Sequence, residues 1–322
     1  MVTILSIGKG TQDVFLRSDE FDSHTRGKKI YTELPLGIKM EVDDVTFSTG
    51  GNATNVATTF ARQGLDSRYM WALGNDPASQ SVMMALDAEG VDTSDVFVDD
   101  RFQAGYSVIL IATNGERTIL NNRGKSVSKT GRGLNFDAIA QADWIYPTSL
   151  GFAGLDLLRE VLDTAERSNT KVMLNPAGPE LADPEKLKPL LESVDVLCTN
   201  KEEMQLLVHG ETCEELALHA LNYAPVVIVS DGPNGVVATD GKTIIRAGMY
   251  EDVPVIDRTG AGDAFASGFL SQWAKGKTLK ESIIFGSANS TSVVTKIGAK
   301  GGILRRGVVL HDMPIHEQEV KR

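Results

Sequence analysis

The chain has 322 residues, 42% of them hydrophobic and 23% charged, with a formal net charge of −11. That length can bury one large core or two ordinary ones, and the acidic balance argues against a broad nucleic-acid or anionic-membrane partner while leaving room for a local anion site built from backbone N–H groups. The two cysteines, Cys198 and Cys213, stand in no CxxC or CxxH spacing, which argues against zinc or a disulfide framework and points to a reducing, cytoplasmic setting.

The first run, MVTILSIG, is too short for a signal h-region or a membrane span and reads as a buried strand over Thr3–Ile7. Residues 9–44 are poor in helical pattern. At Ser48–Gly64, STGGNATNVATTFARQG, a glycine pair leads into a helix expected over Ala53–Gln63. Asn52 reads as its N-cap, or else, with Asn55 three residues on, as one of two amides able to bind the hydroxyls of a small polyol. A strand over Tyr69–Leu73 and a helix over Ala78–Glu89 follow. Residues 96–120 then hold VFVDD, YSVILIA and RTIL with TNGE between the last two, a hairpin signal. Together with 9–44 this segment reads as a small β-excursion able to close a site.

From there short apolar runs alternate with amphipathic ones. Strands are expected at Trp144–Thr148, Val172–Asn175, Val194–Thr199 and Val226–Ser230, and helices at Leu155–Ser168, Glu202–Val208 and Cys213–Asn222. KVMLN, VDVLCTN and PVVIVSDG are nearly continuous in apolar character, as strands buried on both faces are. The fold class is therefore α/β, with a mostly parallel sheet covered by helices. LNPAG and CTNKEEM place Asn175, Asn200 and Glu203 at strand C-terminal ends, where open α/β sheets bind ligands. A carboxylate with amides can hold a water-rich Mg²⁺, although a solvated helix start reads equally from Asn200 and Glu203. SDGPNG, Ser230 to Gly235, is a turn after a strand.

DRTGAGDAFASGFL, Asp257 to Leu270, opens a helix expected over Gly262–Lys275, with another over Leu279–Val294. Small residues at a helix start let an anion approach the free N–H groups of the first turn. Asp263 reads as a capping acid, or as a base that takes a proton from a hydroxyl while the helix start neutralises a transferred phosphate. NRGKS at Asn122–Ser126 lacks the first glycine of a P-loop, Ile119 standing in its place. There is no GxGxxG after the first strand, no HExxH among the five histidines and no GxSxG elbow. The N-x-T triplets at Asn52 and Asn289 are not read as glycosylation sites.

Six stretches in order, GGNATNVATTFARQG, LNPAG, TNKEE, SDGPNG, DRTGAGDAFASGFL and VTKIGAKGG, resemble the ribokinase-like, PfkB-type family of carbohydrate kinases over nearly the whole chain. The resemblance implies one ribokinase-like domain over 1–322, with a β-sheet lid from 9–44 and 96–120, and Mg²⁺-assisted phosphoryl transfer from ATP to a sugar hydroxyl. It casts Asp263 as the base, with Gly260, Ala261 and Gly262 as the anion hole. It assigns Asp13, Gly51, Asn52 and Asn55 to the acceptor, and Asn175, Asn200, Ser230, Gly232, Gly235 and Asn289 to the nucleotide. Glu203 is matched to the metal, and Asp257 and Thr259, with carbonyls near Val293 to Gly298, to a monovalent cation such as K⁺. A homodimer through the lid is also implied. Two departures stand out. Asn52 replaces the lysine usual in ribokinases proper, and Arg258 replaces the commoner threonine. The acceptor expected is a furanose or hexose with a free primary hydroxymethyl group. The alternative is a nucleoside, for which Phe102 and Tyr106 are the nearby aromatic candidates, and Arg123 is the nearest unassigned cation. A non-catalytic binding protein and a nucleotide-dependent oxidoreductase are the competing classes, the latter opposed by the missing dinucleotide fingerprint.

Overall fold

The computed structural model describes residues 1–125, 131, 133–151, 154–248, 250 and 253–320. The apolar runs form a nine-stranded sheet. Its spatial order is Ile315–Glu319, Thr243–Ala247, Val236–Thr239, Val226–Ser230, Val196–Asn200, Lys171–Leu174, Trp144–Pro147, Thr3–Ile7 and Asp66–Met70. The six strands from Val226–Ser230 to Asp66–Met70 run parallel, and the other three close one side in antiparallel fashion.

Alternate side chains of the parallel strands feed two cores. Leu5, Ile145, Leu174, Leu197 and Val227 pack on one face, against Leu86 of helix Pro77–Ala88 and Leu158 of helix Gly154–Ser168. Ile4, Tyr146, Met173, Val196 and Ile228 pack on the other, against Phe60 of helix Asn52–Arg62, Phe269 of helix Ala261–Trp273 and Ile283 of helix Leu279–Val294. Burial on both faces explains why these strands read as apolar runs rather than alternations.

Two expectations shift. The strand read at Tyr69–Leu73 is divided: Asp66–Met70 joins the large sheet, while Ala72–Leu73 pairs with Phe97–Val98. The three antiparallel strands at the sheet end are not among the strands expected, although residues 236–238 and 244–245 are short buried apolar runs. The outermost, IHEQE, is largely solvent-facing and holds its place through backbone pairing.

A separate four-stranded sheet has the order Arg117–Asn122, Gly105–Ile111, Thr11–Arg17 and Asp44–Gly50. The TNGE hairpin forms as its composition predicts, antiparallel, with Gly115 at φ 84° in the turn. Side chains alternate across this sheet. Asp13, Phe15, Ser107 and Ile109 are buried on one face, and Phe47, Tyr106 and Leu120 are exposed on the other. Between Thr11–Arg17 and Asp44–Gly50 the chain forms a small hairpin, Ser23–Arg26 with Lys29–Thr32.

Arg62, at the end of the helix Asn52–Arg62, ties this frame together. Its Nε donates to Glu89 at 2.9 Å, and Nη1 donates to the carbonyls of Lys300 and Ile303 at 2.8 and 2.9 Å. The side chains of Arg62 and Glu89 are 11% and 18% exposed, so removing one leaves a poorly solvated charge. Arg62→Ala is expected to cost about 3 kcal/mol in urea denaturation. Hydrogen bonds from Arg62 hold the Glu89 carboxyl below its ordinary 4.5. The stabilisation is therefore complete above that value and fades as pH falls through the lower, folded-state value. A loss under about 1 kcal/mol, or a loss that does not shrink toward acid pH, would refute this role.

Candidate active site

Asp263 lies in the first turn of the helix Ala261–Trp273 and is 9% exposed. Its carboxylate does not cap that helix, whose N-cap is Gly260 at φ 77° with no side-chain bond. Two amides hold it instead. Asn52 Nδ2 donates to Oδ1 and Asn55 Nδ2 donates to Oδ2, each at 2.8 Å. The N-cap reading of Asn52 is thus corrected: Gly51 is the N-cap and Asn52 the first helical residue. Gly51 is required there, because a Cβ would stand 2.4 Å from the Lys9 carbonyl oxygen. Burial pushes the Asp263 carboxyl above its ordinary value, while the bonds from Asn55 and Asn52 and the charge of Lys300 pull the other way.

Beside Asp263 a pocket of about 280 Å³ opens toward the C-terminal end of the sheet. Ser230, Gly232 and Gly235 line one side, Ala261 and Gly262 the other, with Arg258 at the mouth. Val236, Val255, Phe265 and Val294 give it apolar walls. A Cβ at Gly232 or Gly262 would meet nothing within 4 Å, so open space adjoins both glycines. The N–H groups of Gly262 and Asp263 have no carbonyl four residues back inside the helix and face this end. The sequence-predicted anion hole and nucleotide turn therefore share one pocket.

Other predicted residues sit differently. Asn289 is fully buried and does not line the pocket: Nδ2 donates to the Ala264 carbonyl at 2.8 Å and Oδ1 accepts from Leu304 N at 2.8 Å. It braces the two last helices, and its neighbours Ser287, Ser290 and Thr291 line the cavity. Asn175 Nδ2 donates to the Cys198 carbonyl at 2.6 Å, which ties adjacent strand ends. Asn200 and Glu203 form a capping box. Glu203 N donates to Asn200 Oδ1 at 2.8 Å, and Asn200 N donates to Glu203 Oε2 at 3.0 Å. Asn200 is in register with Ser230 of the pocket.

No group of three His, Cys, Asp or Glu able to hold a metal by itself occurs among the described residues. The capping box uses Oε2 of Glu203, which leaves Oε1 to meet a water-rich Mg²⁺ carried by a nucleotide, and that donor set fits. The carboxylate expected to meet a monovalent cation, that of Asp257, already meets a positive charge. The Asp257 carboxylate accepts from Thr259 N and Oγ1 at 3.0 and 2.7 Å, from Gly298 N at 2.9 Å and from the guanidinium of Arg117.

On the far side of Asp263, Asp13 is 9% exposed and raised by burial. Lys300 was missed in the sequence although its stretch, VTKIGAKGG, was singled out. Its Nζ donates to Thr49 and Thr54 at 2.7 and 2.8 Å, and it lies within the fields of both Asp13 and Asp263. Desolvation pulls it down to about 7 against the raising effect of those acids. Arg123 is exposed, and its charge adds to burial in lowering Lys9. The nucleoside candidates are not free. Phe102 packs edge-on to Phe97 at 6.1 Å, and Tyr106 points to the face opposite Asp13.

Comparison with known proteins gives the family and the fold. Residues 24–305 match the family described as pfkB family carbohydrate kinase. A ribokinase of Haemophilus influenzae is 29% identical over 269 residues, covering 80% of this chain and 84% of its own. An ATP-dependent ribose-1-phosphate kinase of Halopiger xanaduensis is 26% identical over 302 residues, covering 93% and 94%. The fold is that of an Arabidopsis thaliana ribokinase solved with ribose and ATP, at TM-score 0.76, 20% identity and coverage of 95% and 96%. The matched span, the ordered motifs and the shared fold make the chain a member of the pfkB family of carbohydrate kinases, ATP-dependent phosphotransferases.

Proposed function

We propose that this protein transfers the γ-phosphoryl group of ATP to a primary hydroxyl of a small polyhydroxylated sugar, with Asp263 as general base. One observation carries the reading: a buried carboxylate, aimed by Asn52 and Asn55, stands at the helix start that forms one wall of a glycine-lined pocket. The apolar walls suit a purine, and the open space at Gly232 and Gly262 suits phosphates. Mg²⁺, when bound, supplies charge neutralisation on those phosphates. The protein does the rest. Asp263 accepts the hydroxyl proton, and the N–H groups at the start of Ala261–Trp273 stabilise the charge on the transferring group. The departing ADP then carries the negative charge that the acceptor oxygen gave up as its bond to phosphorus formed.

The acceptor belongs between Asp263 and Asp13. Asn55 Oδ1 is buried with no hydrogen-bond partner among the described residues, an acceptor atom left unsatisfied beside the Asp263 carboxylate that its amide holds. Asp13 accepts from further hydroxyls, and Lys300 balances the paired acids. The four-stranded sheet carrying Asp13 is read as the lid over this site. Its outer face leaves Val45, Phe47 and Leu120 at 42%, 67% and 56% exposure, a surface suited to the same sheet of a second copy.

A coupled ADP-release screen over sugars, sugar acids and nucleosides tests the reaction. Asp263→Asn should reduce kcat about 10²- to 10⁴-fold while ATP binding by calorimetry is retained; a variant within threefold of wild type in kcat would remove Asp263 as the base. The base must be ionised, so kcat/KM falls on the acid side, at an apparent pKa above the carboxyl's ordinary 3.8. The amide bonds from Asn55 and Asn52 favour the ionised form, and losing one raises the pKa further. Asn55→Ala should therefore move the acid limb to higher pH and lower kcat about tenfold. An unmoved limb would mean that the amides do not govern the base. For the dimer, Phe47→Glu should convert a two-chain mass in light scattering to one; a wild-type single-chain mass contradicts the pairing.

A further inference from the structure

Asp257 precedes the anion-hole turn and is 7% exposed. A carboxylate offers about four lone-pair sites. The four donors found on Asp257 are unevenly placed: Thr259 N, Thr259 Oγ1 and the Arg117 guanidinium converge on Oδ1, and Gly298 N donates to Oδ2. A diffusible cation at this carboxylate would meet the positive charge of Arg117. Through these bonds Asp257 pins two pieces of backbone behind the phosphate site. One is the Asp257–Thr259 turn that leads into Gly260. The other is Gly298–Ala299, on which Gly260 rests so closely that a Cβ there would lie 2.4 Å from the Cβ of Ala299. Arg117 arrives from elsewhere in the chain. It is the first residue of the outer strand Arg117–Asn122 of the small sheet, and its side chain remains 35% exposed.

We propose that Arg117 is a built-in cation that positions the anion-hole turn through Asp257, so that phosphoryl transfer by this chain requires no K⁺ or other monovalent cation. This rests on the kinase reading above. Arg117 touches no reacting atom; it is a positioning residue. Its planar guanidinium neutralises a carboxylate that would otherwise be a poorly solvated, unbalanced charge beside the transferred phosphate. Because Arg117 belongs to the small sheet, that charge reaches the turn only when the sheet is seated.

The test compares wild type, Arg117→Ala and Arg117→Lys in KCl and in tetramethylammonium chloride at equal ionic strength. It follows ADP release with the acceptor found by the screen and, separately, the melting temperature. Wild type should differ less than about twofold between the two salts. Arg117→Ala should lose about tenfold to a hundredfold in turnover in tetramethylammonium, the cost of a misplaced turn. KCl should restore most of that loss and raise the melting temperature of this variant alone, as the ion takes the vacated carboxylate oxygens. Arg117→Lys should stay within about threefold of wild type. If Arg117→Ala does not fold, Arg117→Gln, which keeps the bulk without the charge, takes its place.

Strong K⁺ activation of wild type, wild-type turnover by Arg117→Ala in tetramethylammonium, or a loss that neither KCl nor lysine relieves would each overturn the proposal. The melting measurement needs no turnover. A K⁺-specific rise confined to Arg117→Ala, with no ADP release from any form, would leave the cation role standing and overturn the kinase reading. Turnover without that specificity would do the reverse.

Discussion

A carboxylate buried at 9% exposure and held by two amides at 2.8 Å is the constraint around which this molecule is arranged. Such a carboxylate must stay dry and still find polar partners that favour its ionised form. The amides meet both needs, but only if the start of Asn52–Arg62 lies against the start of Ala261–Trp273. Nothing local to either segment achieves that. The contact depends on Phe60 and Phe269 sharing one core over the same sheet face, and on Ser267 donating to Thr59 at 2.8 Å one turn further along.

Charge is balanced at long range around this centre. The chain is acidic overall, and three acids, Asp13, Asp257 and Asp263, are nearly buried. Each meets a cation from another part of the fold: Lys300 lies in the fields of Asp13 and Asp263, and Arg117 sits on Asp257. Arg62 fastens the Lys300 backbone and pairs with Glu89, so the local positive charge is built into the frame. Such an arrangement is costly to desolvate and gains from every donor that reaches a carboxylate.

The small sheet has two unlike faces for the same reason. Its inner face brings Asp13 over the site, and its edge brings Arg117 behind it. An element with few helices and an exposed outer row would be a poor independent domain. It is held by its inner contacts to the main body, which are the contacts that complete the site.

Much of this was legible in one dimension. Continuous apolar runs identified the parallel strands because burial on both faces leaves no place for alternation, and glycines with an acid at a helix start marked the anion hole because those requirements are local. The NG hairpin followed from turn chemistry alone. Polar partnerships were not legible. Asn52 and Asn55 read as acceptor ligands, and their amides hold the Asp263 carboxylate more than 200 residues away. Asn289 read as a nucleotide contact and braces two helices, while Asp257 read as a cation ligand and meets Arg117. Lys300 carried no signal of its own, and the three antiparallel strands at the sheet end, paired through backbone, carried little. Local sequence determines backbone preference and burial, because both depend on neighbours along the chain. Which donor a buried carboxylate accepts from depends on distances across the folded sheet, and only the tertiary structure decides those.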